Sequence, residues 1–177
     1  DSASTRTICR QTWPESPGMG LTSIDLNADL AEECGDDEAL YPYLSSANIC
    51  CGRHAGGPES MKKAVLAAIR HDVVIGAHVG YEDRENFGRI DVELDYDSLR
   101  KSTFDQIHDL LEIASSAGAK VQYVKPHGAL YHRIGNDPEQ AAAVIDAIAE
   151  IDTSLHVLVA DTDVIKSAAA GAGLTFV

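Results

Sequence analysis

Six polar residues stand out for where they fall and what they could do. Asn27 and Asp29 lie at the end of the segment Ile24-Asp25-Leu26-Asn27-Ala28-Asp29-Leu30. His54 sits in a glycine-rich loop, Cys51-Gly52-Arg53-His54-Ala55-Gly56-Gly57, and His78 follows the apolar run 73–77. Lys125 and His127 flank a proline in Lys125-Pro126-His127-Gly128. One carboxylate with two imidazoles, Asp29 with His54 and His78, could hold a divalent metal and leave a position open for water or substrate. The three come from separate segments, so no short-range ligand spacing marks such a site. A lysine and an imidazole on a stiff turn suit different chemistry, in which the cation steadies negative charge and the ring moves protons. Glycines around His54 allow unusual backbone angles and close approach of a ligand. Each residue also has a plainer reading. Asp29 or Glu32 could cap a helix, and His78 could be a hydrogen-bonded core histidine. His71, His108, His132 and His156 read as surface or packing residues.

Composition narrows the classes. The chain has 177 residues, with 14 basic and 28 acidic side chains and a net charge of −14. A nucleic-acid partner needs a positive footprint, so that class is excluded. No apolar run approaches the roughly 20 residues of a membrane span, and residues 1–20 lack the apolar stretch of a secretory signal. The four cysteines, Cys9, Cys34, Cys50 and Cys51, contain no Cys-x-x-Cys pair. A zinc ribbon is therefore out, and reduced thiols in a cytoplasm are the simplest reading. Phosphate-loop, dinucleotide and nucleophile-elbow motifs are all missing. Cys51 beside His54 is a weak nucleophile candidate, because nothing in the sequence depresses its pKa.

The elements that must position these residues alternate. Residues 1–20 read as a disordered leader or a mis-called start, with Met19 a plausible initiator. Strands are expected at 23–28, 47–51, 73–77, 120–124 and 155–159, with a sixth from 174. Helices are expected at 36–44, 58–71, 97–117, 138–151 and 162–170. On the helix from Pro58, residues Met61, Val65, Ala68 and Ile69 share one face. The segment 78–96 is a long charged loop, more in keeping with function than with simple connection. Such βα alternation implies one domain, 21–177, built on a parallel sheet that is either open or closed into a barrel. Four successive strands then deliver Asn27 and Asp29, His54, His78, and Lys125 with His127 to one sheet edge, where parallel α/β folds build their sites.

These segments resemble the signature stretches of the LamB/YcsF family. The opening strand is one. The second is Ser46-Ala47-Asn48-Ile49-Cys50-Cys51-Gly52-Arg53-His54-Ala55-Gly56. The third is Gly76-Ala77-His78-Val79-Gly80-Tyr81 with Asn86-Phe87-Gly88-Arg89, and the fourth is Val124-Lys125-Pro126-His127-Gly128-Ala129-Leu130-Tyr131. The resemblance implies a parallel (β/α) barrel of the glycoside hydrolase/deacetylase type, incomplete, with about six strands present. It implies the opening of 5-oxo-L-proline to L-glutamate with ATP (and Mg2+), as the A component of a 5-oxoprolinase complex with B and C subunits. Asp29, His54, His78, Lys125 and His127 would be catalytic, and Asn27, Glu32, Asn48 and Arg53 would bind substrate. The sequence departs from the family pattern at Ala31 and near Glu33, where glycines are usual. It also departs at Arg53, Gly57 and Val79, where an aromatic, an aspartate and a proline are usual. Arg53 either binds a substrate carboxylate or marks a drifted site. The family pattern continues past Val177, so the last strands are expected to be missing. Strand exchange in a homo-oligomer is one remedy for the edges this leaves. Two other readings stay open: a metal-dependent deacetylase-like hydrolase using Asp29, His54 and His78, and a degenerate barrel that binds a partner without catalysis.

Overall fold

The structure, a computed structural model, describes residues 24–177. The expected leader, Met19, Cys9 and the first residue of the first expected strand lie outside the described residues. Six strands form one sheet: β1 (Asn27–Leu30), β2 (Ser46–Cys50), β3 (Val74–Val79), β4 (Val121–Pro126), β5 (His156–Val157) and β6 (Thr175–Phe176). They lie side by side in chain order, and every neighbouring pair is parallel. Right-handed crossovers between strands in sequential order put every helix on the same face. The other face must then curve around its own interior, as in the wall of a barrel. Among the described residues β1 and β6 do not pair, so hydrogen bonds do not close the ring.

Side chains alternate between the two faces with period two. One set, including Ala47, Ile49, Ile75, Ala77, Val79 and Val124, is buried in the apolar core together with Val65, Ile107, Leu110, Ile145 and Ile148 of the helices. The other set is polar. Register aligns Asp29 with Asn48, Asn48 with Gly76, and Gly76 with Tyr123. Two residues further along, Cys50 pairs with His78 and His78 with Lys125. Strand register alone therefore carries the polar residues of four strands to one end of the inner face.

The helices are α1 (Pro58–His71), α2 (Tyr96–Ser116), α3 (Gly128–Ile134), α4 (Pro138–Ile151) and α5 (Asp163–Ala172). Proline at the first helical position starts α1 and α4 where expected. Asp137 also caps α4 by accepting from the backbone N–H of Glu139 and Gln140. Asp95 caps α2, accepting from Ser98 N–H at 2.8 Å. On α1 the face of Met61, Val65 and Ala68 is buried as expected, but Ile69 is 44% exposed and Ala64 and Ala67 are buried instead.

The expected helix at 36–44 is two 3-10 turns, Asp37–Ala39 and Tyr41–Tyr43, because Pro42 removes a donor that a continuous helix needs. Strands β3 and β4 run two residues past their expected ends, so His78 and Lys125 lie within strands rather than after them. Helix α3 has no counterpart among the expected elements. It follows Lys125-Pro126-His127 directly and is too short to show a periodic apolar face. Among the described residues, no helix is long and apolar enough to cross a membrane.

Candidate active site

The sequence-predicted residues converge at the ends of β1 to β4. Lys125 Nζ donates to Asp29 Oδ1 at 2.6 Å. Asp29 Oδ2 lies 3.4 Å from His78 Nε2. His78 Nε2 faces His127 Nδ1 at 2.9 Å, and the His54 and His127 rings stack with centroids 3.8 Å apart. Glu32, on the turn after β1, sends Oε1 to within 3.3 Å of His54, 3.7 Å of His78 and 3.6 Å of His127. The three histidines are buried, whereas Asp29 and Lys125 keep partial access to solvent.

Neighbouring backbone and side chains hold this group in place. Arg84 donates to the carbonyls of Gly52 and Gly56, both at 2.9 Å, and so pins the two ends of the His54 loop. Gln106 of α2 donates to and accepts from the backbone of Gly80, at 3.0 and 2.9 Å. A Cβ on Gly80 would lie 2.6 Å from His54 Nδ1, so the chain can pass this close only as glycine. Phe87 turns its carbonyl to His127 Nε2 at 2.8 Å, and its ring stands T-shaped to the rings of His54 and His127.

Asp29 is also fixed from the inner layer. Asn48 Nδ2 donates to Asp29 Oδ1 at 2.7 Å and to Asn27 Oδ1 at 3.3 Å. Tyr123 OH donates to Asn48 Oδ1 at 2.6 Å. Sequence reasoning missed Tyr123, Arg84, Phe87 and Gln106. Tyr123 reads as a core aromatic, although its alternation with Lys125 places it on the same face. Replacing Tyr123 with phenylalanine leaves a buried amide oxygen short of a partner. The expected cost is about 1–2 kcal/mol, measured by denaturant unfolding. Double-mutant coupling to Asn48→Ala should exceed ~0.5 kcal/mol.

Arg53 behaves differently from the rest. Its guanidinium lies 3.7 Å from the Asp109 carboxylate of α2, and the structure gives it no hydrogen bond to the histidine cluster. Cys50, rather than Cys51, meets His54, with Sγ 3.2 Å from Nε2. Burial pushes the Cys50 thiol up to about 11 and raises Cys51 as well, so neither is primed as a nucleophile.

Burial opposes the charge on Asp29, but hydrogen bonds and charges from His78 and Lys125 outweigh it and hold its carboxyl well below the usual range. Burial likewise opposes charge on Glu32, and the three histidines more than compensate. Burial lowers His54 and brings His127 down to about 4, the latter aided by the charge of its stacked neighbour His54. These directions predict a pH effect. The unfolded histidines bind protons near ~6.5, while folded His127 resists them to about 4. Between those values the unfolded chain holds more protons, so this stabilisation is complete above pH ~6.5 and is lost as pH falls toward 4. Thermal melts at low salt with a chelator should show Tm falling over that window by roughly 4–8 °C, about 2 kcal/mol. A flat Tm there would contradict a buried His127 that stays neutral.

As to metal, the four groups whose ligand atoms lie within 4.8 Å of one another are Glu32, His54, His78 and His127. This set differs from the trio expected from sequence: Glu32 and His127 belong to it, while Asp29 borders it, paired to Lys125.

A parallel barrel-wall sheet with a lysine, carboxylates and imidazoles at the carboxyl ends of four successive strands defines the chain as a (β/α)-barrel-type protein with a polar site at the usual edge. The LamB/YcsF family profile matches residues 24–177, and the chain belongs to that family. It is 47% identical over 162 residues to the first of the 5-oxoprolinase A subunits of Agrobacterium fabrum, covering 89% of this chain and 64% of that protein. It is 44% identical over 138 residues to the 5-oxoprolinase A subunit of Histophilus somni, covering 78% of this chain and 56% of the relative. The crystal structure of a lactam utilization protein from Thermus thermophilus matches with a TM-score of 0.84 at 36% identity, over 87% of this chain and 64% of that one. The chain thus spans less than two thirds of the length of each of these relatives.

Proposed function

We propose that this chain supplies the A-component function of an ATP-dependent 5-oxoprolinase. It would act with B and C subunits to open 5-oxo-L-proline to L-glutamate. The observation that carries the reading is the Lys125–Asp29 pair at 2.6 Å, set against a buried histidine cluster. Names of relatives at 44–47% identity support the same assignment.

A lactam is a stable amide, so its carbonyl oxygen must be activated before water can attack. ATP, with Mg2+, is the co-substrate of the complex in this reading, and phosphoryl transfer to that oxygen makes it a leaving group. Water then adds to the carbonyl carbon and the ring C–N bond breaks, with the nitrogen taking up the proton, which leaves the γ-carbonyl as an acyl phosphate. A second water hydrolyses that acyl phosphate to the free carboxylate and phosphate. ADP and phosphate are the other products. Lys125 steadies the negative charge that grows on the activated oxygen. Asp29 accepts from the lactam N–H or orients the attacking water. His127 and His78 relay the proton, their facing nitrogens being in hydrogen-bond reach. Asn27, Asn48 and Glu32 shape the floor, and Arg53 would engage the substrate carboxylate only by leaving Asp109. The reading extends to the cytoplasm, where the free thiols Cys34, Cys50 and Cys51 would stay reduced.

The test is ATP-dependent glutamate release from 5-oxoproline with this chain plus B and C subunits, against B and C alone. Release that requires this chain supports the assignment. A folded chain that binds the partners and adds no activity would sink it for this chain.

A further inference from the structure

We propose that Glu32, His54, His78 and His127 form a binding site for one divalent, zinc-type metal ion. The first argument concerns which nitrogens carry hydrogen. His78 Nδ1 lies 2.9 Å from the Lys125 carbonyl, and His127 Nε2 lies 2.8 Å from the Phe87 carbonyl. A carbonyl oxygen only accepts, so both of those nitrogens carry the ring hydrogen. In a neutral imidazole the other nitrogen is then bare. With both rings neutral the bare nitrogens are His78 Nε2 and His127 Nδ1, which face each other at 2.9 Å, with Asp29 Oδ2 3.4 Å from His78 Nε2. Two lone pairs at that distance repel unless a proton or a metal ion lies between them. Backbone carbonyls holding the outer nitrogens of ligating histidines is the usual outer shell of a metal site.

The second argument is distance. Metal–nitrogen and metal–oxygen bonds of about 2.0–2.2 Å at tetrahedral angles put ligand atoms roughly 3.3–3.6 Å apart. Glu32 Oε1 stands 3.3, 3.7 and 3.6 Å from the facing nitrogens of His54, His78 and His127. An ion would spread the His78–His127 pair by a few tenths of an ångström and draw in the rest of a set whose ligand atoms lie within 4.8 Å of one another. Three imidazoles and one carboxylate select a borderline first-row ion over magnesium or calcium, which prefer all-oxygen shells. His54 is the least supported ligand, since its outer nitrogen Nδ1 is buried with no hydrogen-bond partner. It is therefore the ligand expected to leave first and open a position on the ion. A Lewis-acid role toward the lactam carbonyl rests on the oxoprolinase reading and would replace the His78–His127 proton relay in it, whereas the presence of the ion does not rest on that reading.

The experiment uses the full chain, purified without a metal-affinity column. Elemental analysis should find about one ion per chain. After chelator stripping, titrated Co2+ should give the visible absorption of a four-coordinate site. Glu32→Gln and His127→Asn, each checked for folding by circular dichroism, should weaken Zn2+ and Co2+ binding by about 100-fold or more. His108→Asn, at an exposed position on α2, should not. A folded wild-type chain that takes up neither ion would overturn the proposal and assign the gap to a shared proton. Stoichiometric uptake that persists in both ligand variants would overturn it too. A bound ion without lactam opening would uphold the site and remove only the oxoprolinase reading.

Discussion

Replacing Lys125 with alanine is expected to lower ATP-dependent glutamate release by about 10²–10³-fold in the assembled system. The fall should appear mainly in kcat. Lys125 is the cation nearest the exposed carboxylate of the site, with its amine 2.6 Å from Asp29 Oδ1. Without it Asp29 loses one of the two partners that hold its carboxyl low. The acidic limb of the pH–rate profile should then move toward higher pH. Arginine should not restore the rate. Its planar fork cannot replace a compact ammonium at the end of a strand, between Pro126 and the paired His78. An unchanged kcat for the alanine variant would remove Lys125 from the chemistry and with it the main role in the proposed mechanism.

Gly56→Ala is expected to be the most damaging single methyl in the His54 loop. Gly56 has φ of +57°, and a Cβ there would lie 2.0 Å from the Ala31 carbonyl oxygen. That atom is backbone, so no side chain can rotate away. Left-handed strain of about 1–2 kcal/mol adds to an overpacking cost of about 1–3 kcal/mol. Tm should therefore fall by roughly 5–15 °C for a chain of this size. The contact joins the turn carrying Glu32 to the loop carrying His54, so any surviving folded protein should also lose the short Glu32–His54 approach. Thermal unfolding with and without Gly57→Ala as a comparison checks this, because a Cβ at Gly57 meets nothing within 4 Å. Equal losses at the two positions would contradict the argument.

The parts of the fold legible in the sequence are those with local signals. Proline after Gly57 or Asp137 marks the starts of α1 and α4, and their apolar periodicity marks the ends. Strand ends are harder to read, for a physical reason. A continuous apolar run signals a strand buried on both faces, yet here the inner face is lined by Asn48, His78, Tyr123 and Lys125. His78 and Lys125 therefore look, in sequence, like residues beyond their strands. The convergence of Asp29, His54, His78, Lys125 and His127 is legible because parallel strands bring successive carboxyl ends to one edge. Their partners are not. Carbonyl contacts from Phe87 and Lys125, and the carbonyl clamp of Arg84, depend on loop geometry that no side-chain pattern encodes. The inclusion of Glu32 in the cluster depends on the turn after β1, where Ala31 and Glu33 adopt left-handed backbone angles.

The pairing of Lys125 with Asp29 also bears on how the chain folds. The two residues are 96 positions apart. Closing a loop of that length costs about 4 kcal/mol in chain entropy, before any constant term. A partly exposed ion pair returns only about 0–1 kcal/mol, so it cannot drive that closure. Apolar packing of β2 and β3 against α1 and α2, and of α2 against α4, must bring β1 and β4 to the same edge first. The site is thus a late product of sheet assembly rather than its nucleus. Substitutions at Lys125 should leave folding rates nearly unchanged, whereas truncating Ile107 or Leu110 should slow them. In kinetic terms, the chemistry of this chain is written into contacts that form only after the fold is already committed.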